Sequence, residues 1–430
     1  MNRKQLIVLI VLGVVMGGLG FWAYQKKQAP YQESTHRMGE KILPNFPLND
    51  VAHITIKQRD AAVNLVQKDD VWTVRERGDY PANFSTISDA LRKIWELKIS
   101  KPVTVGQSRL TQLELLPPDK APSTLVEFKD KSGKAVASLL LGAKHMKESP
   151  ANSPYGGGAW PDGRYVMVGN DLKSVALVSD ALSNLEPKPE DWLNKDWFKV
   201  EKLRSISVTT TNATNNWKLS RESETNEWKL ADAKASEQLD TGKSSGATSA
   251  LSSPTFNDVA TNAAPEQTGL DKPLVAKLET LDGFTYDIKV GHKVAPDKED
   301  YYLQVAVAAT PPKERTADKD EKPEDKTRLD KEFQEKVDKL KEKLKTEKAF
   351  EKWTYIVSKW TIDPLLKERK DLLAEKKEEP KKDEPNTSSS KPTDVSPPVK
   401  LPGTGILEAP PLPSSKGTQD PPKPSEKPSP

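Results

Sequence analysis

Apolar and polar residues alternate in several short segments of this chain, and the alternation predicts a series of β-strands. The first segment, VAHITI at 51–56, places an apolar residue at every second position. The segments VNLV at 63–66 and WTV at 72–74 follow, with Asp69-Asp70 in a predicted hairpin turn between them. Alternation with a period of two is typical of antiparallel sheets that have one covered face.

A helix pattern follows the first strands. Asn83 is a candidate N-cap, because its side chain can accept a hydrogen bond from a free N–H group of the first helical turn. Apolar residues then recur at the spacing of one helix face. They are Ile87, Leu91, Ile94 and Leu97.

The same features return later in the same order, which predicts an internal duplication. In this alignment Trp72 corresponds to Trp228, and Gly142 corresponds to Gly291. Asp240 is the second helix cap, although the segment after it is rich in Ser and Gly and predicts a poorer helix. We expect the strand tryptophans to lie in the core. They are Trp72, Trp217, Trp228 and Trp353.

The alignment exposes an insertion in the second copy. The loop before the last matched strand covers residues 169–174 in the first copy and 308–352 in the second. Within a charged helical insertion at 311–350, apolar residues recur at steps of three or four, which indicates an amphipathic helix. They are Leu329, Phe333, Val337, Leu340 and Leu344. Two interpretations remain open: a helix that lies against its own domain or in solvent, and an arm that binds a partner. We expect residues 311–348 to be dispensable for folding.

The uncharged run from Leu6 to Tyr24 is long enough to cross the hydrocarbon core of a bilayer. It is longer than most signal-peptide cores and ends in bulky residues, which favours a retained signal anchor. Gly13 and Gly17 form a GxxxG pattern, which makes them candidates for helix packing in the membrane. We expect a single-pass protein of the bacterial inner membrane, with its body in the periplasm.

The predicted fold class is α+β. An N-terminal transmembrane helix is followed by two similar modules of mostly antiparallel sheet with one main helix each, and then by a disordered Pro-rich tail. The predicted boundaries are 1–27 for the anchor, 28–48 for a linker, 49–195 for module one, 196–375 for module two and 376–430 for the tail. Fourteen prolines and no aromatic residue lie between residues 380 and 430, a composition typical of disorder.

Composition and motifs exclude most kinds of active site. The 66 basic and 63 acidic residues give a net charge of +3 without a basic block, which argues against nucleic acid as a partner. The chain has no cysteine, no phosphate-binding loop and no nucleophile elbow. Its histidines lack metal-ligand spacing, and His292 is expected in a loop. We therefore predict no catalytic, cofactor-binding or metal-binding residues, no small-molecule substrate and no enzymatic activity.

The order of these motifs resembles a family of bacterial membrane-anchored proteins that carry a repeated domain of unknown function. The resemblance rests on the single span, the strands with I-x-I and W-x-V, the turn Tyr80-Pro81-Ala82-Asn83 and the strand LLLG at 139–142. It implies protein partners in a gliding-motility-type or related multisubunit ABC export system. The expected function is that of a non-catalytic extracytoplasmic adaptor. The alternative is a structural envelope protein whose tail reaches the cell wall or outer membrane.

Overall fold

The computed structural model describes residues 37–148, 158–262, 264–295, 298–310, 314–315 and 322–375. The predicted anchor, with Gly13 and Gly17, and the predicted tail lie outside these ranges. Among the helices that are described, none combines the length and the apolar character that a membrane span requires.

Module one is built on a nine-stranded sheet with the strand order β4-β3-β2-β1-β6-β7-β8-β9-β5. Its strands are β1 His53–Gln58, β2 Ala61–Lys68, β3 Val71–Val74, β4 Tyr80–Pro81, β5 Ile99–Pro102, β6 Thr124–Lys129, β7 Ala135–Glu148, β8 Ala159–Val168 and β9 Ala176–Val178. Helix α1 (Phe84–Glu96) precedes β5, and the short helix α2 (Gln107–Gln112) precedes β6.

Module two is built on an eight-stranded sheet with the order β12-β11-β10-β14-β15-β16-β17-β13. The strands are β10 Leu203–Thr209, β11 Trp217–Ser220, β12 Lys229–Leu230, β13 Asp258–Ala260, β14 Leu274–Thr280, β15 Phe284–Ala295, β16 Lys298–Ala309 and β17 Thr354–Val357. The helices are α3 Thr241–Thr248, α4 Pro265–Thr268, α5 Pro323–Lys348 and α6 Lys359–Leu366.

Every strand pair of the two sheets is antiparallel. The prediction of mostly antiparallel sheets with a few helices is therefore confirmed. The two strand orders are also the same once β4, which has no partner in the second sheet, is set aside. This equality supports the duplication inferred from the sequence.

Two glycines occupy equivalent positions in the two sheets. Gly142 follows Leu141, which pairs with the first residue of β6, and Gly291 follows Val290, which pairs with the first residue of β14. A Cβ atom on Gly142 would collide with the backbone oxygen of Leu113, and one on Gly291 with that of Thr268. In both modules the C-terminal end of the short helix therefore approaches the sheet so closely that only glycine fits.

Both predicted helix caps are confirmed. The side chain of Asn83 accepts a hydrogen bond from the backbone N–H of Thr86 at the start of α1. The side chain of Asp240 accepts one from the N–H of Lys243 at the start of α3. The predicted inner face of α1 is also confirmed, because all four of its apolar residues are buried.

A single apolar core runs through both modules. It contains Trp72 and Trp217 as buried residues, while Trp228 and Trp353 pack against it partly buried. It also contains Ile42, Leu43 and Phe46, so the packing of module one begins several residues before the expected boundary at residue 49. A smaller cluster around α2 covers the other face of the first sheet.

The strands after the two glycines are longer than the sequence suggested. β7 continues to Glu148 and β15 to Ala295, so that each pairs with the next strand as a two-stranded ribbon. His292 therefore lies in β15, where its ring stacks on Tyr301, and the expectation of a loop position was wrong. The apolar alternation is interrupted at each glycine, yet strand pairing resumes beyond it, after a register shift in β7 and without one in β15.

Candidate partner-binding surface

Helix α5 contains the apolar stripe that the sequence singled out, and its two halves differ. Val337 is buried, and Leu340 and Leu344 pack against the core of module two. Leu329 and Phe333, nearer the start of the helix, remain partly exposed. The first interpretation, a helix against its own domain, thus describes the second half of α5.

Hydrogen bonds hold the last turns of α5 on the sheet. The Glu347 carboxylate accepts a hydrogen bond from the Tyr286 hydroxyl at 2.7 Å and another from the backbone N–H of Lys199 at 3.3 Å. The Lys343 ammonium donates to the carbonyl of Lys199 at 3.2 Å and pairs with Glu201 at 2.7 Å. These contacts argue against the expectation that residues 311–348 are dispensable for folding.

The pKa values of two carboxyl groups at α5, those of Glu347 and Asp282, are shifted by their surroundings. Burial raises the pKa of Glu347, and the Tyr286 hydroxyl and the Lys343 ammonium only partly offset this effect. Asp282, in the turn between β14 and β15, pairs with Lys336 at 3.1 Å and with Lys202 at 3.2 Å. Although partial burial acts to raise the pKa of Asp282, the two ammonium groups lower it overall.

The first half of α5, residues 323–335, projects past the end of the sheet. Tyr286 lies beside Glu347, and Asp282, in the turn between β14 and β15, lies beside Lys336. The helix therefore runs from the middle of the sheet to this turn and continues beyond it. At 1.5 Å per residue, Pro323 lies about 20 Å beyond Lys336. We refer to residues 323–335 as the projecting half.

Ion pairs lie along the polar face of the projecting half. Arg328 makes exposed pairs with Asp325 at 3.1 Å and with Glu332 at 2.8 Å, and Arg315, which lies before the helix and is largely buried, pairs with Asp330 at 2.9 Å. Exposed pairs on one helix contribute only about 0.3–0.5 kcal/mol each. The pairs of Arg328 support the helix locally, and Arg315, whose side chain is only 17% exposed, connects this half to the segment before the helix.

The two modules meet through an aromatic cluster. The ring of Tyr80, in β4 of module one, makes edge contacts with Phe256 at 5.9 Å, Trp353 at 5.1 Å and Tyr355 at 6.2 Å, all from module two. Burial raises the pKa of Tyr80 to about 12. Because a buried side chain of module one's edge strand packs against aromatic residues of module two, the modules share one core.

An ion pair crosses the same junction. The Arg77 guanidinium donates two hydrogen bonds to Asp258 at 2.6 and 2.7 Å, and it lies 3.5 Å from Glu190. The hydrogen bond with Asp258 raises the pKa of Arg77. The tripeptide Arg77-Gly78-Asp79 is thus a structural turn, in which Gly78 has a positive φ of 65°. The sequence carries no local signal for this pair, because its members are 181 residues apart.

The described histidines are engaged in contacts across neighbouring strands. His53 Nε2 lies 3.1 Å from Asn64 Oδ1, and Asn64 in turn donates to Glu76 at 2.7 Å. His145 Nδ1 pairs with Asp162 at 2.6 Å, a contact that lowers the pKa of Asp162. Among the residues that the structure describes, no three His, Asp or Glu side chains are grouped so that they could hold a metal ion.

The comparison with protein-family models finds one domain. A domain of unknown function, DUF4340, spans residues 72–273, from β3 of module one to the residue before β14 of module two. The matched segment therefore includes the junction with Arg77, Tyr80 and Asp258. The comparisons with curated proteins and with solved structures gave no significant match.

One signal for the position of α5 was present in the sequence but was missed. Tyr286 lies five residues before Gly291, and its equivalent in module one, five residues before Gly142, is Ala137. Both side chains point to the inner face, where Tyr286 is fully buried. A large aromatic residue in place of alanine requires additional covering, and α5 supplies it.

Proposed function

We propose that this protein is a non-catalytic auxiliary subunit of a membrane transport complex of the ABC type. In this proposal the Leu6–Tyr24 segment anchors the chain in the bacterial inner membrane and the two modules lie in the periplasm. The projecting half of α5 binds a protein partner through Leu329 and Phe333. The resemblance of the motif order to membrane-anchored transport-associated proteins supports the choice of complex.

The observation that carries the proposal is the asymmetry of α5. Its second half is fixed by Val337, Leu340, Leu344 and the Glu347–Tyr286 hydrogen bond, so that the first half is held out from a firmly packed body. Module one joins the equivalent strands, β8 and β9, by a short loop and has no such element. A pre-organised helix loses little conformational entropy when it binds, which favours recognition through its apolar face.

Site-specific crosslinking in intact membranes tests this proposal. Because the chain has no cysteine, a single introduced cysteine can be labelled uniquely. With a photoreactive label we expect Phe333→Cys to capture transporter subunits. Lys339→Cys, exposed on the packed half of the same helix, is the matched control and should capture them much less.

A second pair of variants tests which side chains are needed. Leu329→Ser with Phe333→Ser should abolish co-purification of the partner without changing the melting temperature. Lys331→Ser with Glu335→Ser, which removes an exposed pair from the same half, should leave co-purification intact. Equal capture by all variants contradicts the proposal. Capture of cell-wall or outer-membrane components instead would favour the structural envelope role.

A further inference from the structure

A surface cleft in module one belongs to neither the junction nor α5. It lies between helix α1 and the segment 46–50 that leads into β1, and its volume is about 580 Å³. This volume falls within the range of about 300–1,000 Å³ that is usual for small-molecule sites. Its polar lining comprises Asn49, Asp50, Ser88, Arg92 and Glu96, and Trp95 is the exposed aromatic residue among its apolar lining.

Trp95 provides a flat apolar surface in this cleft. The residue is 41% exposed, which is unusual for so large an apolar side chain. The Lys41 ammonium lies over the ring at 3.2 Å from its centroid. This cation–π contact covers one face of the indole and fixes its orientation. The opposite face is the one on which a ligand can stack.

The polar side chains around Trp95 have hydrogen-bonding capacity that the protein does not use. Within the described parts of the chain, the side chains of Asn49, Asp50, Ser88 and Glu96 form no hydrogen bond or ion pair. Arg92 makes one exposed pair with Asp89 at 2.9 Å, which leaves several of its donors available. Planar donors and acceptors thus line the cleft beside an exposed aromatic ring.

The chemistry of the lining selects among ligand classes. Asp50 and Glu96 outnumber Arg92, which also pairs with Asp89, so the lining is negative on balance and disfavours an anion. Five polar side chains would lose their water if a lipid chain covered them, which is costly. A neutral ligand with many hydroxyl groups and one apolar C–H face satisfies both parts of the lining.

We propose that this cleft binds a saccharide. The C–H face of a pyranose ring stacks on the free face of Trp95. The sugar hydroxyls exchange hydrogen bonds with Asn49, Asp50, Arg92 and Glu96. The helix of module two that corresponds to α1, α3, is only eight residues long and contains no aromatic residue. We expect one saccharide per chain at the cleft of module one, and the site is independent of the partner surface on α5.

Titration of the full-length protein in detergent tests the site. The probes are chitotriose, cellotriose and maltotriose, followed by calorimetry and by saturation-transfer NMR. We expect saturable binding of at least one probe with a stoichiometry of one. Trp95→Ala should weaken that binding at least about tenfold, equivalent to 1.4 kcal/mol. Trp160→Ala, which removes a tryptophan of similar exposure (44%) from β8, is the matched control and should bind as the wild type does.

A second variant separates stacking from hydrogen bonding. Asp50→Asn with Glu96→Gln keeps Trp95 and the shape of the cleft, and it should weaken binding by a smaller factor while changing the preferred sugar. Unchanged melting curves establish that each variant is folded. The proposal is overturned if no probe binds saturably at millimolar concentration, or if Trp95→Ala binds as well as the wild type. If Trp95→Ala instead abolishes crosslinking of a protein partner in intact membranes, the cleft is a protein interface, and the saccharide proposal is overturned as well.

Discussion

Modules one and two cover similar sheets with different helices. In module one, α1 is 13 residues long and buries Ile87, Ala90, Leu91 and Ile94. In module two, the equivalent α3 is 8 residues long and buries only Ser244 and Ala247. Small side chains bury little apolar area, so α3 stabilises its sheet much less than α1 does.

Helix α5, in the insertion, covers the part of the second sheet that the short α3 leaves open. Tyr286, which replaces Ala137 of module one, stacks on Phe198 at 5.8 Å and donates its hydroxyl hydrogen bond to Glu347 of α5. Leu340 and Leu344 of α5 pack against the same core. In module one, Phe46 instead contacts Phe128 on the neighbouring strand at 5.0 Å. The insertion in module two is thus part of the core, because Tyr286 stands where module one has the small Ala137 and needs α5 to cover it.

Removing the insertion should have the largest effect on stability of the changes that test this comparison. Replacing residues 311–348 with Gly-Asn should destabilise module two by on the order of 5 kcal/mol, because three buried or partly buried side chains are lost at about 1.5–3 kcal/mol each. The shorter loop returns at most about 1.8 kcal/mol of closure entropy. Denaturant unfolding followed by tryptophan fluorescence measures the difference. A deletion variant as stable as the wild type would show that α3 alone covers the sheet.

Replacing the two equivalent tryptophans, Trp72 and Trp228, should have the next largest effect on stability. Trp72 is 5% exposed, so Trp72→Ala should cost about 3–5 kcal/mol. Trp228 is only partly buried and contacts Arg221, whose guanidinium lies 4.9 Å from its ring, so Trp228→Ala should cost clearly less. Chemical denaturation of the two variants measures both values. Equal costs would contradict the unequal burial of the two copies.

The junction can be weakened without touching either core. Arg77→Ala removes a two-hydrogen-bond pair and leaves Asp258 without its guanidinium partner, so it should cost about 1–3 kcal/mol. Arg77→Lys should restore only part of this loss, because an ammonium cannot reproduce the planar two-point contact. Calorimetry distinguishes two outcomes. One shifted transition indicates shared packing, whereas two separate transitions would indicate independent modules.

The smallest expected effect concerns pH. Burial raises the pKa of Glu347 in the folded protein above its value in the unfolded chain. The folded state therefore binds more protons between these two values, and its stability falls as the pH rises through them. Glu347→Gln lacks this titration and keeps an acceptor for Tyr286. It should melt slightly higher than the wild type at neutral pH, and the gap should close toward acidic pH.

The features that could be predicted from the sequence are those that depend on residues close together in the chain. Alternation located the strands, and the caps Asn83 and Asp240 located α1 and α3, since a cap acts on its own first turn. The path of α5 depends on Tyr286, a residue more than thirty positions upstream of it, and the Arg77–Asp258 pair joins two different sheets. Such contacts follow from the assembled fold and leave no periodicity in the chain. The lining of the Trp95 cleft combines two separate segments and was missed for the same reason.

The contacts between Tyr80 and module two have a consequence for any attempt to divide the chain. A chain that lost its second copy would expose Tyr80 and leave Arg77 without Asp258, while a chain that lost its first copy would uncover Phe256, Trp353 and Tyr355. Either loss opens a large aromatic surface to water, which favours aggregation. Neither module is therefore expected to stay folded and monomeric when it is expressed alone.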